Sequence, residues 1–202
     1  MSRRRVAEPE ERRQALLAAA RDVFVRRGYH AATVDDITRA AGVAKGTFYL
    51  YFSEKREVFY ALVRGFFQLI LDIGRSVSKD PTGPADFVLR AERAAHELMR
   101  VFVENREMAR LAHRESMGLD AELEKMVASF YRDVAALEAD NIRHGIALGV
   151  FREVDPLVTA YAHIGMVERV LLAMLEENSP LPPPETIVRE VLALAFSGLT
   201  RA

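Results

Sequence analysis

An all-α fold follows from three observations on this sequence. Two proline-free stretches, residues 10–80 and 85–155, carry apolar residues at helical spacing. Neither holds the alternating β-branched run that marks a strand. Proline, a strong local terminator, falls only between the periodic segments or at the start of one.

The first helix is predicted over 10–27, with Ala15, Leu16, Ala19, Ala20, Val23 and Phe24 as its apolar stripe. Arg26 and Arg27 suit its negative C-terminal end, and Gly28 supplies the left-handed cap. Thr33 and Asp36 make a capping box for a short second helix that stops at Gly42. A third short helix is expected over 44–50. Ser53 then caps a long helix to about residue 77. After the loop 78–84, helices are expected near 85–104, 106–116, 120–147, 156–178 and 184–199. Gly118, the 149–156 segment and the 178–183 segment supply the breaks. The stretches 167–175 and 191–196 are apolar nearly all the way round, so one buried face cannot account for them. They lie in the centre of the body or meet a second subunit, and in a chain of this size a second subunit is the expectation.

Half of the 202 residues are hydrophobic and 28% are charged, which supports a packed core and argues against disorder. The chain has no cysteine, so disulfide scaffolds and thiolate-ligated metals are excluded. The opening MSRRRVAEPEERRQ lacks the apolar stretch of a secretory leader. The longest unbroken apolar runs, 15–20, 170–175 and 191–196, are about a third of a membrane span. A cytoplasmic protein without membrane contact is expected. The net charge of −1 conceals a polarity. Residues 1–60 carry 12 Lys and Arg against 8 Asp and Glu, whereas the rest carries 16 against 21. A basic module on an acidic body is the pattern of a small nucleic-acid-binding unit.

Two short helices joined by a glycine-containing turn, inside that basic region, describe a helix-turn-helix. Ile37, Val43 and Phe48 occupy the positions that close the two helices on each other, and Ala40 and Ala41 permit close approach. The exposed side of the third helix is left with Lys45, Gly46, Thr47, Tyr49 and Tyr51. Glycine and threonine are poor helix formers, so local stability does not explain them. A surface that must approach base edges and phosphates does.

The run ATVDDITRAAGVAKGTFYLYFSEKREVF, residues 32–59, resembles the DNA-binding signature of the tetracycline-repressor (TetR) family of transcriptional regulators. The most specific part is Ala41-Gly42-Val43, Lys45-Gly46-Thr47, Tyr49, Tyr51-Phe52 and Lys55. Thr38 departs from the usual alanine, and Ala44 from the usual serine that caps the recognition helix. The resemblance covers residues 10–60; beyond residue 80 it rests on length and helical pattern. It implies an N-terminal three-helix DNA-binding domain over 1–52, with the helix from 53 as connector. A helical ligand-binding and dimerisation domain over 53–202 follows. The implied DNA-facing set is Thr33, Ala44, Lys45, Gly46, Thr47, Tyr49, Tyr51 and Lys55. Thr33 would offer its hydroxyl or N–H to a phosphate, and Lys55 would pair with another. Arg3, Arg4 and Arg5 would form a basic arm. Phe48 and Phe52 are read as core, and Tyr51 as either a phosphate contact or a buried ring with an exposed tip.

The implied partners are a palindromic double-stranded DNA operator, a small apolar or amphipathic effector, and a second copy bound through the last two helices. No cofactor or metal is expected. Candidate effector contacts are Phe66, Met99, Phe102, His113, Met117, Phe130, Tyr131, His163 and Met166, with Phe87 beside them; each is otherwise a core residue. His113 and His163 would orient a polar group on the effector or act as structural hydrogen-bonded histidines. An enzyme is the competing class. Its only trace is His96-Glu97-Leu98-Met99-Arg100, which begins like a zinc-protease motif but has Arg100 where the second histidine belongs. A DNA-binding regulator without a ligand is the other alternative.

Overall fold

The computed structural model describes residues 9–79, 81–116, 120–176 and 178–199. Among the described residues there are nine helices and no strand. They are α1 Pro9–Arg27, α2 Val34–Ala41, α3 Lys45–Tyr49, α4 Lys55–Arg75 and α5 Pro84–Glu104. α6 Arg106–Ser116, α7 Ala121–Ala147, α8 Pro156–Met174 and α9 Pro184–Leu199 complete the order.

Local chemistry sets most of these limits. Proline opens α5 and α8, where its missing N–H costs nothing. The Asp155 carboxylate accepts from the Leu157 and Val158 N–H groups at the start of α8, and Asp120 does the same for Glu122 and Leu123 in α7. Ser53 works differently from the expected cap. Its N–H and hydroxyl both donate to the Glu57 carboxylate, and α4 starts two residues later. α8 stops at Met174 rather than near 178, and Arg106 caps its end. Arg106 Nη2 donates to Met174 O at 2.7 Å and to Glu176 O at 3.2 Å.

The chain forms two compact units. The first takes the described residues up to Phe66 together with Glu107–Leu123; the second takes Phe67–Arg106 and the described residues from Glu124 on. The division therefore falls inside α4, beyond the expected boundary after residue 52, and α6 joins the first unit.

In the first unit, α1 packs on α2, and α2 on α3. Leu16, Ala20, Phe24, Ile37, Phe48, Phe59 and Val63 are buried in this unit. The rings of Phe24, Tyr29 and Phe59 meet at 4.8–5.8 Å, and Phe48 meets Phe52 at 5.8 Å. Each fully buried ring contributes roughly 1.5–3 kcal/mol relative to exposure. α6 and the start of α7 are tied on by polar contacts. Tyr60 donates to the Asp120 carboxylate at 2.5 Å, and His30 Nε2 lies 3.0 Å from the buried Glu115.

In the second unit, α9 packs against both α5 and α8. Met99, Ile187 and Val188 centre one apolar cluster; Val77, Phe87 and Phe151 centre another. Gly145 permits the second: a Cβ there would lie 2.2 Å from the Phe151 ring. α8 is long and apolar enough to cross a membrane, yet only 6% of that window is buried. Leu157, Val158 and Tyr161 on α8 and Leu194 on α9 are exposed.

Candidate nucleic-acid interface and ligand cavity

Within the first unit, the turn between α2 and α3 fixes the direction of α3. Gly42 adopts φ 66°, and its N–H reaches back to Arg39 O while Val43 N–H donates to Thr38 O. Residues with a Cβ adopt that conformation only at a cost. Thr38 stands buried in α2 and satisfies its hydroxyl on Asp35 O at 3.2 Å, so the departure from alanine leaves no unpaired group. α3 carries no side-chain cap, because Ala44 holds the N-cap position. Phe48 points inward; Lys45, Gly46 and Tyr49 are exposed, and Thr47 and Tyr51 are half-buried. Six of the eight expected DNA-facing residues thus lie on α3 or within two residues of its ends.

The other two, Thr33 and Lys55, are already engaged. Thr33 Oγ1 accepts from Asp36 N–H, so the capping box forms. Its two donors, N–H and hydroxyl, both go to Asp36 Oδ2, at 3.1 and 2.7 Å. A phosphate would have to displace that carboxylate, so Thr33 is a cap rather than a ready phosphate donor. Asp36 is further paired with Arg27 at 2.5 Å. The Thr33 hydrogen bonds and the arginine hold its carboxyl below the usual carboxylate range. Lys55 departs further from expectation. Its ammonium donates to the carbonyls of Tyr29, His30 and Ala32 at 2.7–3.2 Å and lies over the Tyr29 ring. It ties the α1–α2 loop to α4, and its charge is spent there. Lys45 is paired across the turn with Asp35 at 2.9 Å, both side chains in solvent. Arg3, Arg4 and Arg5 lie outside the described residues.

The second unit holds a partly open cavity of about 210 Å³. Apolar side chains from α4, α5, α7, α8 and α9 form nearly all of its wall, among them Phe87, Leu98, Met99, Leu137, Val167 and Val191. Three polar residues enter it: Glu138 and Asn141 on α7 and His163 on α8. His163 Nδ1 lies 2.6 Å from Glu138 Oε1. Burial works against both charges, but the mutual hydrogen bond and attraction prevail, so the histidine titrates above its ordinary value and the glutamate below.

Of the expected effector contacts, Met99 and His163 line this cavity, as does Phe87. Phe66 and His113 belong to the first unit. Phe102, Phe130, Tyr131 and Met166 are absent from the wall. Phe130 instead stacks on Phe67 at 3.9 Å, and Tyr131 donates to Glu168. Met117 lies outside the described residues. Glu138 and Asn141 were not anticipated. The signal was an i, i+3 polar pair within a stretch otherwise apolar at Val134, Leu137 and Ile142. In the enzyme-like motif, Arg100 is paired with Glu97 and Glu104.

An all-helical chain with a helix-turn-helix in one unit and a lined cavity in another is the design of a DNA-binding regulator. Residues 16–62 match the family described as "Bacterial regulatory proteins, tetR family". Residues 87–172 match "Tetracyclin repressor-like, C-terminal domain". The chain belongs to the TetR family of transcriptional regulators. It is 26% identical over 200 residues to the uncharacterized HTH-type regulator YhgD of Bacillus subtilis, covering 94% of this chain and 97% of that one. It is 26% identical over 195 residues to the HTH-type transcriptional repressor KstR2 of Mycobacterium tuberculosis, covering 94% of each. The solved structure of that ketosteroid transcriptional regulator superposes with TM-score 0.64 at 21% identity, over 95% of this chain and 96% of that one. SmeT, solved in complex with triclosan, superposes with TM-score 0.79 at 23% identity, over 95% and 92%.

Proposed function

We propose that this protein is a cytoplasmic homodimeric repressor that binds a palindromic operator and leaves it when a small apolar molecule fills the second unit. The cavity carries this reading. About 210 Å³ of apolar-walled space in a 202-residue helical chain forgoes packing that a merely structural domain would use. Repression is supported by the relative KstR2, named a transcriptional repressor, and small-molecule binding by SmeT with its triclosan.

The exposed face of α3 enters the major groove. Thr47 and Lys45 address base edges, Gly46 lets the backbone approach, and Tyr49 and Tyr51 reach phosphates. The exposed apolar residues of α8 and α9 pack against the same helices of a second copy, which places two α3 helices on one operator. A ligand releases DNA only by the margin with which it prefers the DNA-incompetent arrangement.

Fluorescence anisotropy on operator fragments selected from genomic DNA tests this, with a random duplex of equal length as control. Two protomers per site, tight binding over the control and a steep salt slope are expected. Equal weak binding to both duplexes under all conditions would sink it.

A further inference from the structure

We infer that the cavity recognises a neutral molecule bearing a carbonyl group, held by a hydrogen bond from Nε2 of His163. The inference rests on the ligand-cavity reading above and adds the chemistry of the occupant.

His163, Val167, Val170 and Leu171 recur at helical spacing along α8, and all four form part of the cavity wall. The His163 ring therefore lies on the cavity side of its helix. It is not sealed, since 29% of its side chain remains accessible. Nδ1 lies 2.6 Å from Glu138 Oε1, and Nε2 at the far edge of the ring has no partner among the described residues. Glu138 and His163 are the titratable residues of the wall; α4, α5 and α9 contribute none. A neutral imidazole would leave the Glu138 carboxylate without a counter-charge among apolar side chains. The pair is therefore carboxylate with imidazolium, in agreement with the raised titration of the histidine. An imidazolium carries a hydrogen on both ring nitrogens and accepts at neither. Nε2–H is thus a donor that needs an oxygen lone pair, and its apolar neighbours Val167, Val170 and Leu171 offer none. Because the two charges already cancel, a carboxylate on the occupant would add an uncompensated one. A ketone, ester or amide oxygen accepts the hydrogen bond without adding charge. The apolar wall then holds the rest of the molecule.

The test compares acetophenone, isopropylbenzene and benzoate by NMR titration of the full chain near neutral pH. The three have equal numbers of non-hydrogen atoms and present a ketone, a branched alkyl group and a carboxylate. The wild type is expected to bind the ketone more tightly than benzoate. It should also bind the ketone at least as tightly as the hydrocarbon, although the hydrocarbon is the more apolar. Replacing both members of the pair, His163→Leu together with Glu138→Leu, strands no charge. This double variant is expected to lower the ketone-to-hydrocarbon affinity ratio about tenfold or more. The wild-type comparison stands without the variant. Hydrocarbon binding about tenfold tighter than the ketone in the wild type would overturn the inference and leave an apolar ligand cavity in place. Benzoate binding more tightly than the ketone would do the same. Binding of none of the three at millimolar concentration would overturn the inference and the cavity reading together. An unchanged ratio in the folded double variant would also overturn the inference.

Discussion

Lys45 and Lys55 are ten residues apart, and both look like phosphate ligands in the sequence. Their surroundings separate them. Lys55 spends its ammonium on three backbone carbonyls of the α1–α2 loop. Lys55→Met is therefore expected to destabilise the DNA-binding unit by roughly 1–3 kcal/mol through the carbonyls it strands. Thermal melts without DNA check this: an unchanged melt with weakened DNA binding would restore the phosphate role. Lys45 is held by Asp35 across the helix-turn-helix, and that carboxylate faces any approaching phosphate. Asp35→Asn is expected to tighten binding to random duplex and to steepen its salt slope by about one. Anisotropy across a salt series reads both quantities. On the same surface, Tyr49→Phe should weaken binding to all sequences alike, whereas Thr47→Ala should change preference among them. Equal effects of the two on specific and random DNA would refute that division.

At the scale of elements, the helices were legible because their ends are written locally. Proline at the start of α5 and α8, the Thr33–Asp36 box and Gly42 all act within a few residues of themselves. The end of α8 was not legible, and the group that caps it, Arg106, lies 68 residues away from Met174. The cavity's polar residues escaped for a related reason. Glu138 and Asn141 lie on a helix with many charged neighbours, where a carboxylate ordinarily means a solvated face. Only the meeting of α7 with α8 turns Glu138 towards His163. That pair makes stability depend on pH with a definite sign. The raised histidine contributes fully below its unfolded value near 6.5 and loses its contribution as pH rises through its folded value. The lowered glutamate contributes above its unfolded value near 4.5 and loses it as pH falls through its folded value. The pair therefore stabilises most between about 4.5 and 6.5, and Glu138→Gln should flatten that maximum in melts taken across pH. Elsewhere in the unit, Gly145→Ala drives a methyl into the Phe151 ring. A loss of about 1–3 kcal/mol is expected in chemical denaturation.

For the whole molecule, the all-round apolar pattern of the last two helices pointed to a partner from sequence alone, and within one chain α8 lines the cavity on one side while Leu157, Val158 and Tyr161 stay exposed. Tyr161→Glu places a charge in the middle of that face. It should shift sedimentation from dimer to monomer and abolish tight operator binding, while the helix content of the chain is unchanged. A dimer that persists with this substitution would place the interface elsewhere. The division into units was less legible than the helices themselves. Nothing local marks the interior of α4 as a boundary, and α6 joins the first unit through contacts such as His30 with Glu115.

On the proposed dimer reading, the exposed apolar residues of α8 also give the regulator a sense of its own abundance. While dimers are scarce, operator occupancy would climb with the square of the free chain concentration. Growth and division dilute the protein, and below a threshold the operator empties with no ligand present. On the same reading repression would return steeply, because the dimer concentration rises faster than the total chain concentration while monomers predominate.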